Sequence, residues 1–160
     1  MKKFILIFFL SIFIFNPGSI SAQNKEEKVL KKPEGTIIGK LIVLEGNFMP
    51  GLGPAKTKAK EKIVPREVFL FTPAVNLKNV ETVENIFYKI PGRKPFVSVK
   101  SDTKGNFSFK VPPGDYSIFT KEDGKYFANF FDGKGFIFPI KVLSGKKTKV
   151  EFRIDYLATF

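Results

Sequence analysis

The sequence predicts an all-β fold, an antiparallel Greek-key sandwich of about seven to eight strands. Three observations carry that expectation. Short runs rich in β-branched and aromatic residues recur at regular intervals. Turn clusters such as Asp102-Thr103-Lys104-Gly105 and Pro112-Pro113-Gly114-Asp115 separate them. Strict alternation marks two runs: Phe107, Phe109 and Val111 in one, and Val150, Phe152, Ile154 and Tyr156 in the other.

The first 22 residues are set apart from that pattern. Lys2 and Lys3 precede an apolar run over 4–15, and Asn16-Pro17-Gly18 breaks it ahead of Ala22. This is the pattern of a secretory signal peptide, shorter than the roughly 20 residues a membrane span needs. Cleavage after Ala22 would leave 138 residues with a net charge of +10, against +12 for the whole chain. Export to the periplasm or the cell exterior follows as an expectation. Residues 23–35 are polar and charged and read as a flexible leader, with the sandwich domain over 36–160.

Residues 36–46 read as the opening strand, with Gly39 as a bulge candidate. An exposed edge there would be able to pair with another copy or with a partner strand, leaving the oligomeric state open. Residues 47–66 hold three Pro and a comb of Lys56, Lys58, Lys60 and Lys62, and predict a long exposed basic loop. Residues 67–72 form the second strand, stopped by Pro73. Val80, Val83, Ile86 and Phe87 have helical spacing and predict a short helix within 79–89. Phe96–Ser101 and 106–111 follow as strands. Tyr116 and Ile118 then share one face, with Ser117 and Phe119 on the other. Residues 126–131 read as a strand. Residues 136–143 and 147–156 read as a final hairpin around Ser144-Gly145-Lys146.

The stretch SDTKGNFSFKVPPGDYSI over 101–118 resembles the carboxypeptidase regulatory-like domain, a transthyretin-like β-sandwich. The residues that carry the likeness are Asp102, Gly105, Phe107, Pro113, Gly114 and Tyr116. The resemblance implies a fold and no catalytic residues, because these positions serve the turn and the core. The hydrolytic relatives of that fold depend on His and a C-terminal Tyr-Arg-Gly-Ser; this sequence has no His and closes Tyr156-Leu157-Ala158-Thr159-Phe160.

Composition narrows function further. No Cys and no His remove disulfides, thiolate zinc sites, Cys nucleophiles and the Ser-His-Asp triad. Ser98, Ser101, Ser108 and Ser117 have no base to activate them and read as outward-facing. No cofactor and no metal are expected. Two functions remain. The first is a non-catalytic secreted or cell-envelope module for protein interaction, adhesion or scaffolding. The second binds an anionic glycan or a lipid headgroup at a membrane surface, through Lys56, Lys58, Lys60, Lys62, Arg66, Arg93 and Lys94. Nucleic acid is set aside, since export separates the chain from it. The aromatic run Tyr126, Phe127, Phe130, Phe131, Phe136 and Phe138 is expected mainly in the core, and contiguous exposure there would instead mark a partner surface or ligand groove.

Overall fold

A computed structural model describes residues 33–49 and 59–160. The signal-peptide expectation, and Lys56 and Lys58 of the basic comb, lie outside those residues. Among the described residues there are eleven strands in two sheets, more than the sequence suggested.

The first sheet is built around β1 (Gly35–Asn47). One edge of β1 pairs antiparallel with β7 (Asn106–Val111) and, further along, with β2 (Lys60–Lys62). Its other edge pairs with β11 (Lys147–Thr159), and this pairing is parallel. The opening strand is therefore central, and β11 takes the edge. The basic segment is also not wholly a loop, because Lys60–Lys62 joins the sheet. Gly39 forms no bulge; it pairs regularly with Val150 and Phe107, and the register shift falls between Val43 and Glu45. Its lack of a side chain serves packing instead: a methyl group there would overlap the Phe107 ring.

The second sheet runs β4 (Glu81–Val83), β5 (Phe87–Lys89), β9 (Lys125–Phe127), β8 (Gly114–Glu122), β3 (Glu67–Phe71) and β6 (Val97–Lys100). β10 (Pro139–Val142) pairs with the start of β8. The helix expected within 79–89 is absent. A 3-10 turn at Leu77–Asn79 leads into the β4–β5 hairpin, which reverses at Glu84 and Asn85, both at positive φ. Strand pairing satisfies the backbone of Thr82, Val83, Phe87 and Tyr88, residues of high β propensity, and overrides the helical spacing. The final hairpin is also absent as such. β10 and β11 flank Ser144-Gly145-Lys146 but belong to opposite sheets. The turn crosses the sandwich instead of joining neighbours. The run over 126–131 is strand only to Phe127.

The core lies between the sheets. Phe152 of β11 meets Phe138 at 4.9 Å and Phe127 at 6.5 Å between ring centroids. Ile37, Leu41, Phe107, Phe109, Ile118 and Ile154 are buried with them. Strand alternation puts Phe69, Phe71 and Phe119 on the far face of the second sheet, where they meet each other and Tyr126 edge-on at 5.2–5.9 Å. This explains why both faces of β8 are buried over Tyr116–Thr120. Ser117 and Ser101 are buried too, against expectation, and each accepts a backbone N–H: from Val75 at 2.8 Å and from Arg66 at 3.0 Å. Ser98 and Ser108 do face solvent.

Candidate functional site

The turn that carries the family resemblance is a folding device. Asp102 Oδ1 accepts from the backbone N–H of Lys104 at 2.8 Å and of Asn106 at 2.7 Å. Gly105 closes it at φ 77°. The same device recurs at Asp132, whose Oδ1 accepts from Lys134 and Phe136 at 2.9 and 2.8 Å, with Gly135 at φ 80°. Phe107 fills the core, and the Tyr116 hydroxyl donates to the Pro112 carbonyl at 2.7 Å. Pro113 and Gly114 carry the chain from β7 into β8.

Among the described residues, the candidate basic side chains are divided between β2, the start of β3 and its far end. Lys60 and Lys62 project from β2, and Lys62 is paired with Glu45. Arg66 precedes β3 and binds the buried Glu122 carboxylate at 3.2 and 3.3 Å. Glu122 also accepts from the Tyr156 hydroxyl at 3.3 Å. Arg93 lies at the other end of β3, 5.8 Å over the Phe71 ring, and donates to the Pro73 carbonyl. Lys94 is exposed beside it. Three of these cations are thus engaged in holding neighbouring elements together.

A cleft opens elsewhere, with a volume of about 430 Å³. Three separate segments line it: Asn85, Ile86 and Tyr88 from the β4–β5 hairpin; Phe127 at the end of β9 with Asn129 and Phe131 after it; and Asp155, Tyr156 and Ala158 from the end of β11 with Phe160 beyond it. Asn129 Nδ2 donates to Asp155 Oδ2 at 2.7 Å and fixes that carboxylate. Phe131 and Phe160 are 57% and 68% exposed, although large aromatic rings are usually covered. Phe160 stacks one face on Phe48 at 5.4 Å. Burial pushes the Tyr156 phenol above its ordinary value, and the Glu122 carboxylate beside it adds to the shift. Tyr156 therefore stays a neutral donor with its proton committed to Glu122. The aromatic run is split by this arrangement: Phe127 is core, whereas Phe130 and Phe131 are surface. The sequence marks this neighbourhood only through its aromatic run, and it does not point to Asn129 or to the end of β11.

The cleft can take a ligand against aromatic faces while an amide and a carboxylate fix its polar groups. Among the described residues, no set of three His, Cys, Asp or Glu is placed to hold a metal ion, and no helix is long and apolar enough to cross a membrane.

No protein-family model matches this chain, and no curated protein matches it significantly. A solved structure from Pseudomonas aeruginosa, described as a "putative carbohydrate binding protein", is similar to it with a TM-score of 0.40 and 14% sequence identity. That likeness spans 77% of this chain and 90% of the other.

Proposed function

We propose that this protein is a non-catalytic binding module, exported from the cell, and that the cleft is its ligand site. A neutral saccharide is the ligand class that suits the lining. The observation that carries this reading is the placement of exposed Phe131 and Phe160 beside the Asn129–Asp155 pair. Aromatic faces pack on the C–H faces of a sugar ring, while an amide and a carboxylate exchange hydrogen bonds with its hydroxyls. Asp155 disfavours an anionic ligand in this cleft, and among the described residues no Lys or Arg lines it. Among the described residues, Asp155 is the one carboxylate in the lining. The turn residues Asp102, Gly105 and Tyr116 are engaged in local hydrogen bonds or close packing, in keeping with the structural role that the transthyretin-like resemblance implies.

Calorimetric titration with a panel of neutral oligosaccharides, and with heparin fragments in parallel, tests the proposal. The expected result is binding of a neutral sugar, weakened about tenfold by Phe131→Ala or by Asn129→Ala, the loss of roughly one ring contact or one hydrogen bond. Binding of heparin fragments alone, abolished by Lys60→Ala and Lys62→Ala together, would replace this reading with the basic-surface one. Failure of every sugar to bind would return the module to protein interaction.

A further inference from the structure

The outer edge of β11 is long and carries an ordered series of charges. Among the described residues, nothing pairs with it beyond β1. The Thr36 N–H donates to the Lys146 carbonyl at 2.8 Å, and Thr36 stands opposite Lys147. In a parallel ladder, that geometry turns the backbone groups of residues 146, 148, 150, 152 and 154 toward β1. The N–H and C=O groups of Lys147, Lys149, Glu151 and Arg153 then point outward, free to take another strand. The side chains of Lys149, Glu151 and Arg153 are exposed on the sheet's solvent face, where Arg153 pairs with Glu151 of the same strand at 2.6 Å. Asp155 beyond them is only partly exposed and is held by Asn129.

We propose that this edge binds a second copy of the same chain, antiparallel, about a twofold axis through Phe152. Charge complementarity selects both the partner and the register. Outward-pointing groups can meet only when the axis passes through a residue and not between two. An axis at Glu151 sets Lys149 against Arg153 of the other copy. An axis at Arg153 sets Glu151 against Asp155. An axis at Phe152 sets Glu151 against Arg153, and symmetry repeats that attractive pair. The register shift between Ile154 and Leu157 ends the new ladder just past Asp155. The inward row stays apolar, with Val150 facing Ile154 and Phe152 facing itself. The four-stranded sheets of two copies become one of eight strands.

Sedimentation velocity on the purified protein, at low salt and up to about 100 μM, reads the outcome directly, since a micromolar Kd would make most of it dimeric there. The wild type is expected to be a dimer that weakens as salt rises. Glu151→Lys and Arg153→Glu should each weaken dimerisation at least about tenfold, because each sets two like charges face to face. Mixing those two variants should restore a heterodimer, and the double variant should restore the homodimer. Both positions are exposed, and an unchanged thermal melt confirms that each variant folds. A wild-type monomer at every concentration, or a dimer indifferent to both exchanges, overturns the proposal.

Discussion

Gly39 lies flat against the ring of Phe107, its directly paired neighbour across the β1–β7 ladder. The contact leaves no room for a methyl group, and the ring is held by the buried Phe109 beside it at 5.9 Å. Gly39→Ala should therefore cost about 2–3 kcal/mol, toward the upper end for overpacking a core. Chemical denaturation measures the loss, and Phe107→Leu in the same chain should recover part of it.

The Arg66–Glu122 pair supports the fold. Glu122 is buried, whereas the Arg66 side chain is about one-third exposed at 32%. Arg66→Met leaves the carboxylate with only the Tyr156 hydroxyl and should cost about 2–3 kcal/mol, less than the loss from a wholly buried pair. Adding Glu122→Leu should recover most of that loss, because the uncompensated charge is then gone. Denaturation midpoints of the two variants check both steps.

Thr120 Oγ1 is buried on the inner face of β8 with no hydrogen-bond partner among the described residues. Thr120→Val replaces the hydroxyl with a methyl group of similar size. It should raise stability by about 1 kcal/mol, the desolvation cost removed. Thermal melting of the variant against the wild type decides this.

All four tyrosines, Tyr88, Tyr116, Tyr126 and Tyr156, have phenols pushed above their ordinary value, in each case first by burial. Above about pH 10 the unfolded chain loses these protons while the folded chain still holds them. Stability is therefore intact below that pH and falls as pH rises through the folded values. At the acid end the sign reverses. Asp102 is held low, first by the Asn106 side chain, and Glu45 by its hydrogen bond from Lys62. Their contributions fade as pH drops below the ordinary carboxylate range. Denaturation midpoints across pH should show both limbs, and the alkaline one should coincide with tyrosinate absorbance.

The parts of the fold legible in the sequence are those fixed by neighbours in the chain. Asp102 and Gly105 make their turn from bonds spanning four residues, and the alternation of Phe107, Phe109 and Val111 follows from one strand facing one core. Ser144-Gly145-Lys146 does reverse the chain, but nothing local says which sheet receives the next strand, so a hairpin was expected where a crossover stands. Val80, Val83, Ile86 and Phe87 fit a helix until Phe127 and Tyr126 offer β5 a partner strand. The cleft was illegible for the same reason. Asn85, Asn129 and Asp155 lie far apart in sequence, and only the closed sandwich brings them together. The basic residues were legible as charges but not as partners. Arg66 and Lys62 find Glu122 and Glu45 only after β1, β3 and β8 are in place.

The parallel pairing of β1 with β11 sets how this domain answers mechanical force. β1 begins at Gly35 and β11 ends at Thr159, at opposite ends of two strands joined by eleven residue pairs. Tension applied through these ends slides the strands along each other and loads the whole ladder in shear, so its hydrogen bonds must yield together and not one after another. A domain clamped in this way holds its shape under a pull that would unzip an antiparallel hairpin of the same length.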